Sequence, residues 1–185
     1  MENTSQLGFA LLGLLHKEPM SGYDLRKVFT TTAMGSFSDS PGAIYPALRR
    51  LETSGLVRGT VEESTSLRKR RVYKITSKGL GEFRDWLKRP VTRDDVVRRK
   101  DDLMLRFAFM DQAMGDARTV EFLSEFAEQV QSYLPDLRLF LESHAEAMPL
   151  SGRLALECGI AEYETLLRWA RRSIATYEQR KGNEV

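Results

Sequence analysis

Residues 7–15 are apolar almost without interruption (Leu-Gly-Phe-Ala-Leu-Leu-Gly-Leu-Leu). The polar Thr4-Ser5-Gln6 before them and Pro19 after them bound a short buried helix, since proline cannot continue the hydrogen-bond series. Ser21 is a good cap for a second helix, in which Leu25, Val28 and Phe29 make one apolar stripe. Residues 33–39 carry Gly, Ser and Asp and read as a loop. A third helix is expected from Ser40 as cap and Pro41 in the first helical position, running to about Ser54 and stopped by Gly55. Leu56-Val57-Arg58 and Val72-Tyr73-Lys74-Ile75 read as two strands around a polar stretch and the run Arg68-Lys69-Arg70-Arg71. Thr76 or Ser77 then caps a fourth helix bearing Leu80, Phe83, Trp86 and Leu87. Three helices, a hairpin with a basic tip and a further helix are the element order of a winged helix-turn-helix, here expected over residues 1–90.

The second half, residues 91–185, has another rhythm. Pro90 and Thr92-Arg93-Asp94-Asp95 read as a linker, and residues 100–110 as a short helix with Leu103, Leu105, Phe107 and Phe109. Val120, Leu123, Ala127, Val130, Leu134, Leu137 and Leu141 are spaced 3-4-3-4-3-4. Leu156, Ile160, Tyr163, Leu167, Ala170, Ile174 and Tyr177 continue with 4-3-4-3-4-3. Such heptad seams demand helix-on-helix packing, and Pro135 should kink or break the first of the two helices. One antiparallel hairpin would bury the seams against each other. Phe122, Phe126, Tyr133, Phe140, Leu166 and Trp169 widen the stripes beyond that need, so packing between two chains is the preferred expectation. Its residues are Leu156, Ile160, Tyr163, Leu167, Ala170 and Ile174. The fold expected is therefore mainly α, a winged helix-turn-helix followed by a helical dimerisation domain.

On a wheel of 100° per residue, Ile44, Ala47, Leu48 and Leu51 share the inner face of the third helix. The outer face holds Gly42, Pro46, Arg49 and Thr53, flanked by Tyr45 and Arg50, with almost no acid. It reads either as a solvated surface or as a face that enters a DNA groove. Small residues there permit close approach, and arginine can reach phosphate or guanine. The basic run Arg68 to Arg71 is likewise either a solvated tip or a grip on adjacent backbone. Tyr23 is a core aromatic or a phosphate donor near a helix start.

Charge sharpens this picture. The net charge of +2 conceals 15 Lys/Arg against 9 Asp/Glu in residues 1–90, or +6, and 13 against 17 in the remainder, or −4. A basic half joined to an acidic one points to a polyanionic partner for the first. The 185 residues contain no apolar run long enough to span a bilayer, and Glu2, Lys17, Glu18 and Pro19 do not fit a signal peptide. A cytoplasmic location and no membrane partner are expected. The one cysteine, Cys158, permits no intrachain disulfide and reads as a buried, inert thiol on the apolar helix. His16 and His144 have no partner at metal-ligand or catalytic spacing, so no enzyme activity, metal or cofactor is expected.

The stretches Leu-Gly-Phe-Ala-Leu-Leu-Gly-Leu-Leu, Ser21-Gly22-Tyr23-Asp24-Leu25 and Gly55-Leu56-Val57 closely resemble the PadR family of transcriptional regulators. So do Ser40-Pro41-Gly42-Ala43-Ile44-Tyr45-Pro46-Ala47-Leu48-Arg49-Arg50-Leu51, Arg71-Val72-Tyr73-Lys74-Ile75-Thr76 and the Gly79 that follows. Residues 100–109 and 154–169 resemble the C-terminal region of longer, virulence-activator-like members. The resemblance implies a homodimer, with two third helices in successive major grooves of a pseudopalindromic operator on double-stranded DNA. It assigns DNA contact to Ser40, Gly42, Tyr45, Pro46 and Arg49 with Arg68, Lys69, Arg70 and Arg71, and a repressor as the function. It also implies a small aromatic or cationic effector, for which Phe83, Trp86, Tyr163 and Trp169 are candidate pocket residues, against a reading of all four as core. The competing expectation is a winged helix used for protein–protein contact without sequence-specific DNA binding.

Overall fold

The computed structural model describes residues 4–32, 34, 41–62 and 70–183. They fall into two compact units, Met1–Arg89 and Pro90–Val185.

The first unit begins with α1 (Gln6–Lys17), where the Ser5 hydroxyl accepts from the Gly8 amide at 3.2 Å. Phe9, Leu11, Leu12 and Leu15 are buried, as the apolar run requires. A two-residue strand β1 (Met20–Ser21) leads straight into α2 (Gly22–Thr31). Ser21 and Asp24 form a reciprocal capping box at the start of α2, satisfying two amides that the helix leaves unpaired. Residues 33 and 35–40, including the expected cap Ser40, lie outside the described residues. The third helix starts as one 3-10 turn, Pro41–Ala43, before α3 (Ile44–Thr53), so its α-helical part begins later than Ser40 implies. Gly55, at φ +72°, closes α3. The Leu56 amide returns to the Leu51 carbonyl at 2.8 Å and the Gly55 amide to Glu52 at 2.9 Å, the Schellman pairing that only a left-handed residue permits.

Strands β2 (Val57–Glu62) and β3 (Arg70–Ile75) pair antiparallel from Val57 opposite Ile75 to Glu62 opposite Arg70. The sheet has three strands, ordered β1-β3-β2, because Met20 and Ser21 pair with Tyr73 and Val72. β1 is an addition to the expected two-stranded wing. Thr76 caps α4 (Ser77–Lys88). Phe9 of α1 stacks on Trp86 of α4 with centroids 4.5 Å apart, and Leu25, Ile44, Leu48 and Phe83 fill the same core.

The second unit is all helix: α5 (Arg93–Arg98), α6 (Lys100–Met114), α7 (Asp116–His144) and α8 (Leu150–Asn183). The expected linker is in part α5. Thr92 and Asp95 form a second capping box, a helix start concealed by the charged composition around it. Of the kink or break expected at Pro135, the break does not occur: α7 is one continuous helix. One turn before Pro135, the Gln131 side chain accepts from Arg171 of α8 at 2.9 Å.

The two heptad seams pack on each other within one chain, as the antiparallel-hairpin alternative expects. Tyr133 meets Tyr163 edge-on at 5.2 Å, Phe126 meets Trp169 at 6.0 Å, and Arg138 pairs with Glu164, so α7 and α8 run antiparallel. Ile160, Tyr163 and Ala170 are buried in this seam. Leu156, Leu167 and Ile174 are half-buried. The extra width of the stripes is used by α6, whose Phe107 packs against Phe122 and Trp169. Arg106, also on α6, is buried over the Phe122 ring at 5.0 Å.

Candidate nucleic-acid interface

The outer face of α3 stands as the wheel places it. Ile44, Ala47, Leu48 and Leu51 are buried, while Gly42, Tyr45, Pro46, Arg49 and Arg50 are exposed. Burial of one face fixes the rotation of the helix, and so fixes which side chains face outward. Tyr23 is 64% exposed, which removes the core reading of that ring, and Tyr45 is 44% exposed. The two tyrosines are neighbours, because the Tyr45 ring packs against Gly22. Ser40, Arg68 and Lys69 lie outside the described residues.

The other half of the basic run differs from its expected position. Arg70 and Arg71 belong to β3, and successive residues of a strand point to opposite faces. Arg70 pairs with Asp24 of the α2 capping box. Arg71 reaches the other way, its Nη2 2.7 and 2.9 Å from the two Glu52 oxygens at the end of α3. Arg70 and Arg71 therefore do not share one face. The hydrogen bond from Arg71 holds the Glu52 carboxyl below the usual glutamate range, with the Gly59 amide adding to it and slight burial opposing both. A guanidinium so engaged is itself driven further toward the charged form by Glu52.

The strand register brings together a pair that the linear sequence conceals. Arg58 and Lys74 are directly opposite on β2 and β3, and both are exposed. Like charges in that position repel, and a polyanion would relieve them. The signal lay in the hairpin register, which could have been counted from the two strands had their ends been fixed.

The four candidate effector residues do not come together within either unit. Phe83 and Trp86 are core of the first, and Trp86 stacks flat on Phe9. Tyr163 and Trp169 belong to the second, where the Tyr163 hydroxyl donates to the Val96 carbonyl at 3.3 Å and Trp169 meets Phe107 edge-on at 5.1 Å. Burial pushes the Tyr163 phenol up. Cys158 is exposed on α8, which corrects its reading as a buried thiol. Among the described residues no group of three His, Cys, Asp or Glu side chains is placed to hold a metal ion, and no helix is long and apolar enough to cross a membrane.

Residues 11–85 match the transcriptional regulator PadR-like family, and residues 99–178 match the virulence activator alpha C-terminal family. The negative transcriptional regulator PadR of Bacillus subtilis is 31% identical over 147 residues, covering 78% of this chain and 79% of that protein. Among solved structures, a PadR-like transcriptional regulator from Bacillus cereus is 28% identical, covers 95% of this chain and 98% of that one, and superposes with a TM-score of 0.44. Bacillus subtilis PadR in complex with operator DNA is 24% identical, with 92% and 98% covered and a TM-score of 0.43.

Proposed function

Because the chain belongs to the PadR family of transcriptional regulators, we propose that it is a cytoplasmic, homodimeric repressor that reads a pseudopalindromic operator with α3. The observation that carries this reading is the exposed face of Gly42, Tyr45, Pro46, Arg49 and Arg50, which has a buried apolar face behind it. Gly42 and Pro46 leave room for a groove wall. Arg49 and Arg50 supply cations for phosphate or guanine, and Tyr45 and Tyr23 supply hydroxyls for phosphate. Ser40, Arg68 and Lys69 complete the set of proposed contacts.

One such unit is a weak reader, and pairing two at ~34 Å, one turn of duplex, multiplies the affinity. The helical unit is assigned that pairing. Leu139, Phe140, Leu150 and Leu154 around the α7–α8 turn are large apolar side chains at least half exposed, and the half-buried Leu156, Leu167 and Ile174 extend the surface available to a second copy. Bacillus subtilis PadR has also been crystallised with p-coumaric acid, and release from DNA by a small molecule is the regulation proposed for this chain.

The test is selection from a random pool of duplexes by the full chain, followed by salt titration and sedimentation. An enriched site with two symmetric halves, bound by two chains, is expected. Arg49→Ala should weaken it and relax base preference. Equal binding of all sequences by wild type and Arg49→Ala would sink the reading and leave the winged helix as a protein-contact module.

A further inference from the structure

Glu52, Gly59 and Arg71 come from three different elements and converge on one point. Glu52 Oε1 accepts the Gly59 amide of β2 at 2.9 Å and Arg71 Nη2 of β3 at 2.7 Å. β2 is an edge strand of the sheet, so Glu52 takes up a donor on a strand that has a neighbour on one side only. Gly59 leaves the room for this. A β-carbon there would lie 2.5 Å from Arg71 Nε and 2.9 Å from Glu52 Oε1. The guanidinium also sits 5.7 Å from the centre of the Tyr73 ring, on the same side of the strand.

Resting on the DNA-binding reading above, we propose that Arg71 is a positioning residue: with Glu52 it clamps the base of the wing to the end of α3, and it does not contact DNA phosphate. Three considerations support this. A phosphate would have to displace a carboxylate already held by two hydrogen bonds from Nη2, and charge-assisted bonds are the strong ones. The same carboxylate holds the β2 backbone, so its loss frees both strands and not merely one side chain. Arg71 is half exposed and Glu52 under a third, so the pair contributes little to global stability and its use is geometric. It sets the angle between recognition helix and wing, on which simultaneous contact by both depends.

The experiment uses the full chain and the duplex that it enriches from a random pool. A phosphate-contacting Arg71 and a clamping Arg71 give opposite signs for Glu52→Gln. Under the clamp, Glu52→Gln weakens binding by about tenfold, the order expected of coupled neighbours, although it removes an acid beside the interface. Arg71→Gln weakens it alike and leaves the salt dependence unchanged. The double variant binds no worse than the weaker single one. Equal or tighter binding by Glu52→Gln would overturn the proposal, as would a salt slope lowered by ~0.9 in Arg71→Gln, the mark of one lost phosphate contact. Should the wild-type chain enrich no duplex, the DNA-binding reading falls by itself. The clamp is then read from the Gly59 amide by hydrogen exchange: faster exchange in both single variants, with no further gain in the double, supports it, and unchanged exchange overturns it.

Discussion

The ring of Tyr45 on α3 lies over the α-carbon of Gly22 at the start of α2: a β-carbon on Gly22 would stand 2.7 Å from Tyr45 Cε1. This contact sets how closely α3 approaches α2, and it holds one exposed aromatic ring at the start of the helix that carries the exposed Tyr23. Gly22→Ala should therefore displace Tyr45 rather than unfold the protein. Alanine also reduces the freedom of the unfolded chain relative to glycine, worth ~0.4–1 kcal/mol, which offsets part of the clash. The expected outcome is a stability change within about 1 kcal/mol by thermal unfolding, with a clear loss of affinity for the enriched duplex. Unchanged affinity would detach Tyr45 from the DNA-reading face.

Acid should loosen the wing before it unfolds the core. The carboxyl of Glu52 is held below the ordinary value of 4.5, chiefly by the hydrogen bond from Arg71. A depressed carboxyl contributes its full stabilisation above the ordinary value and loses it as pH falls through the lower, folded one. The Gly59 amide resonance, followed by NMR, is expected to titrate below pH 4.5 in the wild type and to stay fixed over that range in Glu52→Gln. Titration at or above 4.5 would show a carboxylate that nothing holds.

Arg106 is the one basic side chain in the buried core of the second unit among the described residues. Burial pulls its pKa down, and the charges of Asp102, Asp95 and Glu125 oppose that. Removing a large buried side chain costs ~2–5 kcal/mol through the cavity it leaves, whereas an apolar side chain of similar length keeps most of the packing on Phe122. Arg106→Ala should destabilise the chain by about 3 kcal/mol in chemical denaturation, and Arg106→Met by much less. A loss below ~1 kcal/mol for the alanine variant would show that Arg106 contributes little to the packing of this core.

Pro135 is exposed in the interior of a continuous helix. Proline costs such a position ~3 kcal/mol relative to alanine, so Pro135→Ala should raise the midpoint of thermal unfolding. A fall would mean that the packing of α7 on α8 requires the distortion that proline introduces.

What was legible in the sequence followed from period and punctuation. The inner face of α3, the capping role of Ser21 and the stop at Gly55 each rest on local rules that the tertiary structure had no reason to override. The heptads of α7 and α8 were equally legible, but a seam states that a helix has a partner and not whose chain supplies it. The width of the stripes pointed outward, whereas Phe107 of α6 meets it from within. The charged run misled for a different reason. Arg70 and Arg71 are neighbours in sequence and on opposite sides of a pleat, and neither Asp24 nor Glu52 is near them along the chain. β1 is two residues long, too short for any alternation to register. Arg106 was invisible because a lone arginine in a helix reads as surface.

Cys158 could have been placed correctly from the spacing alone, since it falls between Leu156 and Ile160 and off the seam they define. Its exposure on α8 gives the chain a ready attachment point. As the single thiol in the sequence, it accepts one spin label or fluorophore without any prior cysteine removal. In a symmetric pair of chains that label reports one distance, from which the spacing of the two helical units, and its response to DNA or a small molecule, can be followed in solution.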